Sequence, residues 1–229
     1  MAAAVAFPNE SAEYRAARER LLAAEVEERR AHEALAAARR ELPPGGEVPE
    51  DYVFERAGAD GTPEPVRMSE LFARGDTLAV YSFMFGPDRD APCMGCTSML
   101  DGIDGATRHI VERINFAVVA ESPVPRLLEF AERRGWSWLP LLSTAGNSYN
   151  RDYHGKDPDG YDQPMLNVFQ RTGATIRHFW GSELLYQPME PGQEMRHLDS
   201  IDLFWNMFDF TPGGRGEDSP PDLAPASAG

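Results

Sequence analysis

"DTLAVYSFMFGPDRDAPCMGC", residues 76–96, joins two different signals. Residues 76–85 are a nearly unbroken apolar and aromatic run of strand length, the pattern of a strand covered on both faces of a parallel sheet. The end of the stretch holds the only two cysteines of the 229-residue chain, Cys93 and Cys96, spaced C-x-x-C directly after that strand. From Cys96 onward, the spacing of Met99, Leu100, Ile103, Ile110, Val111 and Ile114 predicts a helix, and "NFAVVAES" (115–122) reads as a second buried strand. The product is a β-α-β unit with the cysteines at the start of its helix.

Working outward, "VPRLLEFAERRG" (124–135) is an amphipathic helix closed by Gly135, and "SWLPLLST" (137–144) is a short strand or an extended edge. "PMLNVFQ" (164–170), the turn "RTGA" and "TIRHFW" (175–180) read as an antiparallel hairpin with Gly173 at positive φ, and a helix over 195–208 closes the domain. Upstream, residues 9–41 are rich in Ala, Glu and Arg, with Ser11 or Asn9 as cap and "LPPGG" (42–46) as stop. They predict one helix roughly 45 Å long. Its apolar stripe (Tyr14, Leu21, Leu22, Val26, Leu35) is thin, which fits a solvated arm; pairing of two chains as a homodimer through that stripe is the alternative. The Pro-, Gly- and Ser-rich tail from Thr211 is expected to be disordered. The expected organisation is therefore an arm over 1–47, one α/β domain over 48–210, and a tail over 211–229.

The net charge of −15 and pI near 4.7 oppose a phosphate backbone, which excludes nucleic acid as a partner. The opening residues lack a basic segment, and their apolar run is broken by Pro8 and Asn9, so neither a signal peptide nor a membrane span is expected and the compartment is the cytoplasm. Thiols there are kept reduced, so a C-x-x-C pair reads as catalytic or metal-binding rather than as a structural staple. As a dithiol, Cys93 at a helix N-terminus faces unpaired N–H groups and the positive end of the helix dipole, which favours its thiolate; Cys96, one turn further in, resolves the mixed disulfide. As a metal site, two thiolates suit copper or zinc with a histidine completing the shell. His154, in the long polar loop 147–160 beside Tyr153, is the best-placed of the five; His109 and His178 fit a helix face and a strand, and His32 and His197 fit helices.

The order β-α-β then β-β-α, with C-x-x-C opening the first helix, resembles the thioredoxin fold. Together with "DYVFE" (51–55), "SFMFGPD" (82–88), "CMGCTSMLDGIDG" (93–105), "RRGWSW" (133–138) and "DLFWNMFDFTPGGRGED" (202–218), it resembles the domain of unknown function 899 family, whose members are labelled predicted dithiol-disulfide oxidoreductases. The resemblance implies a central mixed sheet flanked by helices, extended here by the N-terminal helix and a C-terminal segment. It implies a redox role without naming a substrate; the dithiol reading of the C-x-x-C adds a redox-active disulfide with no bound cofactor (copper or zinc in the metal alternative) and a partner that is a disulfide- or thiol-containing protein or small molecule. Thioredoxin-like proteins hold a cis-proline opposite the dithiol, and by that resemblance Pro164 takes this place; an ordinary trans proline at a strand start is the alternative reading. Pro92, Met94, Gly95, Gln163 and Pro164 are then the expected substrate contacts. Met94-Gly95 departs from the Gly-Pro of thioredoxin. A peroxiredoxin needs Thr or Ser three residues, and Pro seven residues, before its reactive cysteine; Cys93 has Asp90 and Gly86 there and Cys96 has Cys93 and Arg89, which disfavours a peroxidase. A non-catalytic thioredoxin-fold binding module with a retired redox site is a further alternative that the intact C-x-x-C opposes.

Overall fold

Strong helix formers fill residues 12–40 and build α1 (Ala12–Arg40), whose N-cap Ser11 accepts a hydrogen bond from the Tyr14 N–H at 3.1 Å. The computed structural model describes residues 5–188, 191, 199–216 and 220–221. The chain divides into two compact units, Met1–Pro43, which contains α1, and Pro44–Gly229. α1 buries none of its residues, and Tyr14, Leu21, Leu22 and Leu35 are exposed. Its Arg29–Glu33 and Arg30–Glu27 pairs each contribute only a few tenths of a kcal/mol.

In the second unit the elements are β1 (Val53–Ala57), β2 (Pro63–Arg67), β3 (Thr77–Ser82), α2 (Met94–Ile110), β4 (Asn115–Ala120), α3 (Val124–Arg134), β5 (Leu141–Ser143), α4 (Tyr149–Asp152), β6 (Met165–Thr172), β7 (Thr175–Gly181) and α5 (Leu203–Asp209). They form a mixed seven-stranded sheet in the order β2-β1-β5-β4-β3-β6-β7. β3, β4 and β5 are parallel, with Ser82 opposite Val119; β6 runs antiparallel to β3, with Met165 opposite Ser82. Parallel neighbours need crossovers of one hand, so α2 and α3 pack on the same face. That face buries Tyr81, Val118 and Ala120 against Cys96, Met99 and Leu100 of α2 and Leu127 and Phe130 of α3. The opposite face packs Leu78, Val80, Val119 and Phe169 with Tyr52, Phe54 and Tyr149. Each fully buried Leu, Val or Phe contributes about 1.5–3 kcal/mol.

This is a thioredoxin-like α/β fold with a long N-terminal helix, as the element order suggests. Gly135 (φ 74°) and Gly173 (φ 61°) take the left-handed geometry their turns require. The β1–β2 hairpin was not legible in advance, because Pro63 and Pro65 argue against a strand. β2 accommodates both as an edge strand that pairs only with β1. The closing helix is shorter than expected: a 3₁₀ turn (Asp199–Ile201) precedes it, and Asp202 accepts from the N–H groups of Phe204 and Trp205, which sets the start of α5. Residues 195–198 of that expected helix, including His197, lie outside the described residues, as do 217–219 and 222–229 of the tail. In the described part of the tail, Arg215 pairs with Asp209 of α5 at 2.6 Å.

Candidate active site

β3 delivers the chain to the C-terminal edge of the parallel strands, and the segment after it is fixed before the cysteines are reached. The Cys93 N–H donates to the Met84 carbonyl at 3.0 Å, and the Ser122 hydroxyl donates to the Phe85 carbonyl at 2.6 Å. Arg126 of α3 ties down the loop over 86–90: it donates to the carbonyls of Gly86 (3.1 Å), Arg89 and Asp90 (3.3 Å) and lies 4.2 Å over the Phe85 ring. The Gly86 N–H donates to Asp162 at 2.8 Å, and a Cβ at position 86 would sit 2.8 Å from that carboxylate, which would have to shift to admit it. Asp162 lies 4.0 Å from Lys156, which pairs with Glu121 at 2.5 Å. Burial raises the Asp162 carboxyl, against the pull of the Gly86 N–H and the Lys156 and Arg89 charges.

The two thiols that follow occupy unlike environments. Cys93 is the N-cap of the 17-residue α2 and is half-buried, while Cys96 is 4% exposed. A hydrogen bond from the Cys96 thiol, the N–H groups of Cys96 and Gly95, and the Arg89 charge stabilise the Cys93 thiolate against partial burial and bring its pKa down to about 6. The same hydrogen bond, together with burial and the Cys93 charge, holds the Cys96 proton on and raises that thiol well above its ordinary value. The pair thus shares one proton near neutrality, on the inner sulfur. Beneath it, the buried Tyr81 hydroxyl donates to Cys96 Sγ at 3.1 Å.

Residues 5–226 match the family profile described as a bacterial protein of unknown function, DUF899. The chain belongs to the DUF899 family. Among solved structures, Enterococcus faecalis AhpC matches at 15% identity over 78% of this DUF899 chain and 98% of that chain, with a TM-score of 0.46. The reduced 2-Cys peroxiredoxin of Plasmodium vivax matches at 16% over 58% and 82%, TM-score 0.42, and reduced Prx3 of Vibrio vulnificus with hydrogen peroxide at 12% over 67% and 91%, TM-score 0.43. No curated protein matches the sequence.

The DUF899 chain gathers most of the residues singled out in its sequence at one end of the sheet. Pro92 is buried directly before α2, and Met94 and Gly95 form its half-buried first turn, where a Cβ on Gly95 would lie 3.8 Å from Cys93 Sγ. The Met165–Ser82 pairing puts Pro164 at the same sheet end as Met84 and Cys93. No peptide bond among the described residues is cis, so Pro164 is trans, unlike the cis-proline of the thioredoxin resemblance. It enters β6 in the isomer that X-Pro bonds favour by about 0.5–1 kcal/mol, with the preceding Gln163 N–H held by the Gly155 carbonyl at 2.9 Å. The Gln163 side chain is turned to Asp157, donating at 3.0 Å.

His154 and Tyr153 do not join the cysteines. Tyr153 packs on the opposite face of the sheet, 4.8 Å from the Phe169 ring and 5.8 Å from His178, and the His154 carbonyl accepts from the Tyr186 hydroxyl at 2.7 Å. They line a cavity of about 520 Å³ with Met165, Asn167, His178 and Tyr186. Among the described residues no three His, Cys, Asp or Glu side chains converge, so Cys93, Cys96 and His154 form no shared ligand set. His32 lies on α1, His109 is exposed on α2, and His178 faces Asn167 at 3.0 Å. Sequence reasoning missed Tyr81, Arg89, Arg126 and Asp162. Only Tyr81 left a signal: it is the one phenol in a mainly apolar run, and a buried phenol needs a hydrogen-bond partner.

Proposed function

We propose that this DUF899 protein is a thiol–disulfide oxidoreductase in which Cys93 is the nucleophile and Cys96 the resolving thiol. The carrying observation is the asymmetry of the pair: a half-exposed thiol at a helix N-terminus with its pKa lowered to about 6, and a buried partner that retains its proton. The Cys93 thiolate attacks one sulfur of a substrate disulfide, the substrate S–S bond breaks, and one half leaves as a thiolate. Cys96 then attacks Cys93 Sγ, closing the protein disulfide and expelling the second half; the Cys96 proton ends on a departing thiolate. The substrate, a disulfide- or thiol-containing protein or small molecule, lies against Met94, Gly95 and Pro164. The dithiol itself carries the electrons, with no further cofactor. The reading places the protein in the cytoplasm; among the described residues no helix is long and apolar enough to cross a membrane.

The peroxidase activity named for Plasmodium yoelii thioredoxin peroxidase I is not proposed for this chain. Asp90 and Gly86 stand where a peroxiredoxin places Thr or Ser and Pro, and their backbone groups are engaged by Arg126 and Asp162. The test uses two variants and a model disulfide. Cys93→Ser should abolish attack, whereas Cys96→Ser should attack normally and stop at a stable mixed disulfide, seen as a mass increment on Cys93. Equal, slow reaction of both cysteines with no internal disulfide at any glutathione ratio would refute the reading.

A further inference from the structure

Tyr81 is placed where the first chemical step does not need it. Its ring belongs to the cluster of Tyr81, Cys96, Met99 and Leu100 between β3 and α2, it is 1% exposed, and its hydroxyl donates to Cys96 Sγ at 3.1 Å. The groups that stabilise the Cys93 thiolate are the Cys96 thiol, the N–H groups of Gly95 and Cys96, and Arg89.

We propose that Tyr81 is a catalytic residue of the second step, its hydroxyl holding the Cys96 sulfur as the thiolate that attacks the Cys93–substrate disulfide. The inference rests on the oxidoreductase reading above. In the resting dithiol, the Cys96 thiol donates to the Cys93 thiolate, and both that bond and the Cys93 charge keep the Cys96 proton in place. Once Cys93 is bonded to substrate sulfur it carries no charge, and both restraints disappear. What then acts on Cys96 is burial, which opposes the thiolate, and two donors that favour it, the Tyr81 hydroxyl and the Met84 N–H. Burial keeps the Tyr81 phenol protonated, so it stays a donor throughout. The other charges facing this pair are Arg89, acting on Cys93 from the loop, and Asp202, acting on Tyr81 from the N-cap of α5. The first step therefore unlocks the second: attack by Cys93 releases Cys96, and Tyr81 receives the charge. Electrons and atoms balance, since the Cys93–substrate S–S bond breaks as the Cys93–Cys96 bond forms, and the expelled thiolate takes the proton Cys96 gave up.

The test follows the full-length reduced protein reacting with excess 4,4′-dithiodipyridine, which releases one thiopyridone when Cys93 attacks and a second when Cys96 resolves. Tyr81→Phe removes the hydroxyl and keeps the ring. It should leave the first phase and its pH profile unchanged, slow the second roughly tenfold or more, and move the second profile to higher pH, as expected for losing a hydrogen bond to a charged group. Equal slowing of both phases would mark a packing role and overturn the proposal, as would an unaltered second phase. Absence of a first phase in the unsubstituted protein would remove the oxidoreductase reading itself, and this proposal with it. If Tyr81→Phe does not fold, 3-fluorotyrosine placed at position 81 decides, since its stronger donor should speed the second phase alone; no change there overturns the proposal.

Discussion

Replacing Cys96 by Ala tests the electrostatics of the dithiol most directly, because its thiol is the largest stabiliser of the Cys93 thiolate. With a pKa of about 6, Cys93 is roughly nine-tenths thiolate at pH 7, whereas a free thiol near 8.5 is only about one-thirtieth thiolate. That gain of roughly thirtyfold in population is mostly offset by weaker nucleophilicity. With a Brønsted slope of about 0.4–0.5, the intrinsic rate falls roughly tenfold, so at pH 7 Cys93 outpaces a free thiol by only a few-fold. The decisive quantity is therefore the midpoint of the rate–pH curve. The assay is the first phase of reaction with 4,4′-dithiodipyridine between pH 4 and pH 10. The expected midpoint is about 6, and Cys96→Ala should move it toward 8.5, since burial then faces only two N–H groups and Arg89. A midpoint near 8.5 in the unsubstituted protein, or one that stays near 6 without the Cys96 thiol, would refute the reasoning.

The reduction potential should fall by about 59 mV per pH unit below pH 6, where two protons accompany two electrons, and by about 30 mV per unit above it, where Cys93 is already a thiolate; a redox titration showing one slope from pH 5 to 8 would contradict this. By the same linkage, the lowered Cys93 pKa stabilises the reduced fold fully above the unfolded thiol's pKa near 8.5, and that contribution is lost as pH falls through about 6. Comparing urea midpoints of reduced protein with Cys93→Ala at both ends of that window checks the sign. Arg126→Met should cost about 2–3 kcal/mol in urea unfolding, because it keeps the stem but leaves the carbonyls of Gly86, Arg89 and Asp90 without their donor; a loss below about 0.5 kcal/mol would show the loop is held elsewhere. Protein purified without chelator is expected to carry well under one equivalent of zinc or copper by elemental analysis, as two thiolates supply only half of a tetrahedral shell. A full equivalent that disappears with either cysteine would favour the metal reading.

The sequence alone determined the elements whose signals are local. The apolar run at 76–85, the C-x-x-C after it, the capped α1 and the Gly173 hairpin depend on period, caps and turn chemistry within a few residues, and each lies where its pattern put it. Pairings between distant segments had no such signal. β2 was hidden because prolines mask an edge strand, and its partnership with β1 exists only once that edge is built. Likewise, the cysteine spacing put two thiols one helical turn apart at the start of α2, and the proposed order of the two sulfurs follows from that placement. The largest contributions to the division of the proton lie within the motif, in the Cys93–Cys96 hydrogen bond and the N–H groups of Gly95 and Cys96, but the rest come from elsewhere: Tyr81 from β3 on the buried side, and Arg89 from a loop that Arg126 and Asp162 hold in place from distant segments. The same folding removed His154 from the cysteines, because Tyr149 and Tyr153, which lead into it, pack on the face of the sheet opposite α2. A pKa responds to charges and donors within a few ångströms, and which residues come that close is decided by the crossing of chain segments far apart in sequence.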